Sequence, residues 1–248
     1  MTLPKPQMKK ETILARYSSG ERDFTRIELR EAELIKLNLS DADFTAADLR
    51  QARLGKSNFA RTIFDRADLS ESILWGTDLT QANLFQANLS EADLSGAILT
   101  QANLEKANLV KAILEGGNLS HAHLCYALMI EVDFHPTSDS RTNLSQADLS
   151  YADLSYSNFS MSLLYQAKLD GAKLCRANFN NNGMGNTNTL TADLTEASLR
   201  NADLSYANLA GAVMRRADLT GADLTGANLT DTILEDAIMP DGKVHQAI

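Results

Sequence analysis

The side chains in this 248-residue chain that could do chemistry are four histidines, two cysteines and 32 carboxylates. His121, His123, His135 and His245 share no ligand spacing with cysteine or carboxylate, so no metal site is expected. Cys125 and Cys175 lie 50 residues apart and outside any CxxC pattern, which fits unpaired thiols in a reducing compartment. The carboxylates are numerous but fall at a fixed five-residue recurrence, which marks them as the outer polar position of a repeat and not as an acid/base pair. No glycine-rich phosphate loop precedes a helix, and no nucleophile elbow is present. Neither an enzyme nor a cofactor site is expected.

The repeat that places these residues runs through almost the whole chain. Stepping by five from Phe24 to Met239 gives 44 anchors, of which 31 are Leu, 7 Phe and 4 Met, leaving Asp139 and Thr189. Two residues before each anchor stands Ala, or else Ser or Thr at most sites; between them lies usually Asp or Asn. The unit is A-(D/N)-L-x-x. In an α-helix a five-residue step rotates the anchor by about 140°, which leaves no apolar stripe. In a straight strand five is odd, so successive anchors would alternate faces.

What remains is a short extended piece, with Ala and Leu pointing inward, followed by a corner; repeated, it winds a solenoid. Stacked phenylalanines indicate the number of sides. Phe24/Phe44, Phe44/Phe64 and Phe159/Phe179 recur at 20 residues, against Phe44/Phe59 alone at 15. Four sides per coil are predicted, and 44 units in fours give about 11 coils, a rod of about 50 Å. A core packed with Leu, Phe and Ala leaves no cleft for a small-molecule substrate.

Stretches such as "QANLFQANLSEADLSGA" at 81–97 resemble the pentapeptide-repeat family, and the resemblance covers residues 22–241. It implies an all-β solenoid, a right-handed quadrilateral β-helix. The expected layout is an N-terminal helical cap at 1–21, a single β-helix at 22–241 and a tail at 242–248. In the cap Ile13, Leu14 and Tyr17 share a helical face and Gly20 stops the helix. "MPDGKVH" at 239–245 breaks the register with a Pro-Asp-Gly turn. Two stretches are predicted to leave the wall as loops: 135–143, where Asp139 replaces the inward Leu, and 180–191, rich in Asn and Gly. Their candidate contact residues are His135, Asp139, Arg141, Asn182, Met184 and Asn186.

Lys and Arg total 23 against 32 Asp and Glu, a net charge of -9, which disfavours direct contact with nucleic acid or an anionic membrane. No apolar run is long enough for a signal-peptide core or a membrane span, so a cytoplasmic location is expected. Reading columns at 20-residue spacing places Ile73, Ile113, Val213 and Ile233 on one face, at a site that is usually polar. Trp75 follows Leu74, and Lys36, Arg53, Lys56, Lys173, Arg176, Arg215 and Arg216 surround them. Aromatic and Arg residues are the usual anchors of protein interfaces, so this face is the predicted partner surface. Phe85, Tyr126, Tyr165 and Tyr206 form a second cluster on a neighbouring face.

Outside the generic repeat, "LRQARLGKSNF" at 49–59, "ILWGTDLT" at 73–80, "DGAKLCRANF" at 170–179 and "AIMPDGKVH" at 237–245 are similar to the HetL-like, heterocyst-regulating branch of the family in cyanobacteria. That resemblance implies a non-enzymatic regulator that binds a HetR-type transcription regulator and competes with PatS-type inhibitory peptides. Two alternatives stand beside it: a DNA mimic acting on a type II topoisomerase, and a scaffold with no dedicated partner. Over about 50 Å duplex DNA carries on the order of 30 charges, well above the charge of this chain.

Overall fold

The computed structural model describes residues 10–180 and 191–246. Parallel bridges link residues 20 apart, as in Asp23 to Asp43 to Ile63 and Glu28 to Asp48 to Asp68. Four such columns make four walls. The first runs from Asp23 to Ile238, the second from Glu28 to Asp223, the third from Glu33 to Asn228 and the fourth from Asn38 to Ile233. Up to the last coil, the anchor N–H groups donate to the next coil, as Leu104 does to His123 O at 2.7 Å. Each wall is thus a parallel ladder along the rod.

The corners explain the five-residue unit. After each Leu the chain turns, with Ala107 N donating to Leu104 O at 3.0 Å and the third residue of the turn, Lys106, at a φ of 59°. Positive φ at only the third residue of such a turn is the mark of a type II turn. The Asp or Asn before the anchor closes the corner: Asp93 Oδ1 accepts Ser95 N–H at 3.0 Å, and Asn103 Oδ1 accepts Glu105 N–H at 3.1 Å. Asparagines also pair along the rod, as in Asn88 to Asp68 and Asn108 to Asn88, each at 3.0 Å. Left-handed backbone costs a non-glycine residue about 1–2 kcal/mol. Ala46, exposed at a φ of 54° with only a methyl to lose, is the cleanest test. Ala46→Gly should raise stability by about 0.5–1 kcal/mol, read as a higher thermal midpoint, whereas Ala→Gly in most settings lowers it.

Inside, the Leu, Phe and Ala columns are almost fully buried. Phe24, Phe44 and Phe64 stack with centroids 5.1 and 5.5 Å apart, while Phe44 and Phe59 meet edge-on across the core. Where Ser or Thr replaces Ala its hydroxyl finds a carbonyl; Ser157 donates to Met129 O at 2.6 Å. This satisfies the buried polar group.

Two coils are longer than 20 residues. Asn118 bridges Asn143, a step of 25, and Leu163 bridges Asp193, a step of 30. In the first, Asp139 lies exposed and out of the wall, as expected of that loop. The second loop lies almost wholly outside the described residues. The longer coils reduce the count from the expected 11 to about ten.

The N-terminal end is covered by α1, Lys10–Ser18, with Ile13 fully buried and Leu14 and Tyr17 packed on the core. At the other end Gly242 N donates to Met239 O at 2.8 Å, and the chain doubles back so that Val244 pairs antiparallel with Ile238. The residues after the Pro-Asp-Gly turn therefore add a short strand pairing to the first wall.

Aspartates at the corners tie stability to pH. The backbone N–H and hydroxyl of Thr25 hold Asp23 below the usual carboxylate range, the Arg50 guanidinium does so for Asp48, and Thr225 for Asp223. A lowered folded-state value means that the contribution is complete above the unfolded value and is lost as pH falls through the folded one. Thermal midpoints should therefore stay level from pH 7 to 5 and drop below ~pH 4.

Candidate partner-binding surface

The four walls divide the surface predicted from sequence. Ile73, Ile113 and Arg53 do share the third wall. Val213 and Ile233 sit on the fourth wall, Lys173 on the second, and Arg176 on the edge between the second and third. Arg215 and Arg216 lie on the edge between the fourth and first walls. The cause is the length of the two extended coils: each extra five-residue unit moves every later residue back by one wall. A 20-residue column read from sequence is valid only as far as Phe134.

The cations on this surface differ in how they are held. Arg215 pairs with Glu235 at 3.0 Å, Arg216 with Glu196 at 2.6 Å and Lys173 with Asp153 at 3.6 Å. Arg53 reaches Glu33 at 4.0 Å. Lys56 stands over the Trp75 ring at 4.6 Å, and Arg176 over Tyr206 at 5.4 Å. The Trp75 ring lies across Gly55, where a Cβ would fall 2.6 Å from the indole nitrogen, so residue 55 must lack a side chain for the ring to lie there.

The second aromatic cluster is also redistributed. Phe85 and Tyr126 stand on the edge between the first and second walls, Tyr206 on the edge between the second and third, and Tyr165 on the edge between the fourth and first. Tyr151, which sequence columns missed, stacks on Tyr126 with centroids 5.1 Å apart. Tyr156 joins the Tyr206 edge. The shifted register hid both.

The loop residues have mixed roles. Arg141 is a staple: Nε donates to Met161 O and Nη2 to Thr191 O, both at 2.6 Å, which ties the loop base to two successive coils. His135 is held between Asp133 Oδ1, at 2.8 Å, and the Asn158 side chain. Asp139 is exposed, bonded to the Ser138 hydroxyl at 3.0 Å. Asn182, Met184 and Asn186 lie outside the described residues. Cys125 is a half-buried thiol, and burial pushes its pKa up to about 11, so it is protonated at neutral pH. Among the described residues no cluster of His, Cys, Asp and Glu could hold a metal ion.

Eight copies of the pentapeptide repeat pattern match the sequence, over residues 23–61, 62–101, 87–124, 102–135, 142–181 and 192–236. The chain belongs to the pentapeptide-repeat family. Its fold is the right-handed quadrilateral β-helix of that family. Among solved structures it is similar to HetL from Nostoc sp. strain PCC 7120, a pentapeptide repeat protein involved in heterocyst differentiation regulation. Identity is 52%, 96% of this chain and 100% of that chain are covered, and the TM-score is 0.94. The plasmid-mediated fluoroquinolone resistance protein QnrB1 matches at 19% identity, over 78% of this chain and 90% of its own, with a TM-score of 0.41. Another pentapeptide repeat protein of Nostoc matches at 37% identity over 48% and 84%, with a TM-score of 0.22. No curated protein sequence matches.

Proposed function

We propose that this chain is a non-enzymatic, cytoplasmic regulator of heterocyst differentiation that binds a HetR-type transcription regulator and competes there with PatS-type inhibitory peptides. The observation that carries the reading is the 52% identity to HetL over the full length of that chain, at a TM-score of 0.94. The surface agrees with it: exposed Trp75, Ile98 and Ile113 stand on a rod whose interior is filled by packed Leu, Phe and Ala. Such a surface suits protein docking more than substrate capture. No helix of the described residues is long and apolar enough to cross a membrane. The mechanism is competition between surfaces: the rod occupies the regulator where the peptide would, with no bond made or broken. Direct binding tests it. Purified chain and a HetR-type regulator should form a complex by calorimetry, and no complex at high micromolar concentration overturns the proposal.

A further inference from the structure

The solenoid is covered at its first end and largely open at its last. α1 packs on the first coil. In the last coil the N–H groups of Leu224, Leu229 and Leu234 and the C=O groups of Ala222, Ala227 and Thr232 have no backbone partner among the described residues. One coil earlier the same groups are paired: Met214 N donates to Ile233 O at 2.8 Å, and Ala212 O accepts Ile233 N at 2.9 Å. Leu224, Leu229 and Leu234 are also only partly buried. An unpaired strand edge beside apolar side chains is a template for another strand.

The first wall shows what such an edge accepts. There the chain supplies its own strand: Val244 pairs antiparallel with Ile238, Met239 N donates to Lys243 O at 2.8 Å, and His245 N donates to Ala237 O at 2.7 Å. The segment reads Lys243-Val244-His245, and the Lys243 ammonium meets Asp241, at the corner of that wall, at 2.5 Å. Of the three open walls, the fourth repeats these features. It carries Ile233 where the second and third carry Asp223 and Asn228. Ile233 is 38% exposed, whereas Ile238, opposite Val244, is half-buried. Asp231 and Asp236 stand exposed at the corners on either side of Ile233, and neither is paired with a cation among the described residues. Carboxylates without a counter-charge favour a basic group from outside.

We infer that the open edge of the fourth wall, at 232–234, receives a short extended segment of the partner protein. It pairs antiparallel, as Val244 does on the first wall, with Thr232 O and Leu234 N–H bonded to its backbone. An apolar residue covers Ile233, and basic residues on either side meet Asp231 and Asp236. A second copy of this chain fits the edge poorly, because it would bring its own Asp231 and Asp236 against the same carboxylates. The inference rests on the proposed binding to a HetR-type regulator; a protein that contacts DNA phosphates carries basic segments of this kind.

Amide hydrogen exchange reads the pairing directly, because the Leu234 N–H is unpaired in the free protein. In the complex with the purified HetR-type regulator, exchange at Leu234 should slow at least tenfold. Charge reversal at the two corners tests the flanks: Lys106 and Lys111 adopt a φ of 59° at the same turn position where Asp231 and Asp236 adopt 56°, so lysine keeps the turn. By calorimetry the double variant Asp231→Lys/Asp236→Lys should bind at least tenfold more weakly. Glu71→Lys/Glu91→Lys, the same charge change on the edge between the second and third walls, should stay within threefold of wild type. A wild-type complex in which Leu234 exchanges as fast as in the free protein, or which the corner variant leaves unchanged, overturns the inference and spares the proposed function. Slow exchange of Leu234 in the free protein, from a second copy or from the chain itself, overturns it as well. No wild-type complex overturns both.

Discussion

Replacing Phe159 with alanine should destabilise the β-helix by about 3–5 kcal/mol, the range for emptying a large aromatic site in a packed core. Phe159 is fully buried and stacks on Phe134 and Phe179, with centroids 4.6 and 4.9 Å apart. The coil between Phe134 and Phe159 is the one lengthened by five residues, so the stack aligns the wall where the register changes. Loss of the ring leaves a cavity that parallel ladders on every side prevent from collapsing. Urea unfolding of Phe159→Ala should show the loss, and Phe159→Leu should recover most of it, since Leu is the ordinary anchor. In a solenoid each coil contacts only its neighbours, so hydrogen exchange should accelerate first in the coils around 134, 159 and 179.

Ala107→Leu should cost about 1–3 kcal/mol by the opposite route. The alanine column lies beside the turn: Ala107 is fully buried and its N–H bonds Leu104 O at 3.0 Å. A larger side chain has to displace the turn or the coil above. Ala107→Ser should be far milder, because the hydroxyl has a local acceptor; Ser72 donates to Leu69 O at 2.6 Å in the same position of another unit. Chemical unfolding of the two variants side by side separates volume from polarity.

The fold was legible in the sequence because the five-residue period eliminates helix and straight strand by geometry. The phenylalanines at 20-residue spacing then pointed to four sides. Legibility stopped where a count of residues stopped being a count of coils. Asp139 marked the first loop, but the shift it imposes on every later column follows only once Asn118 is seen to bridge Asn143. For that reason Ile73, Ile113, Arg53, Lys56 and Trp75 stay together while Lys173, Arg176, Arg215 and Arg216 disperse. Ile98 escaped notice because its wall looked plain in isolation; the structure leaves it exposed on the fourth wall. The role of Arg141 as a staple was invisible, because its acceptors are backbone carbonyls 20 and 50 residues away.

The proposed competition of surfaces is tested most directly by displacement of a fluorescently labelled PatS-type peptide from a purified HetR-type regulator as this protein is added. The account predicts that peptide anisotropy falls to its free value with a midpoint that rises in step with peptide concentration, as for two ligands that exclude each other. Simultaneous binding, with the peptide retained at saturating protein, would contradict it.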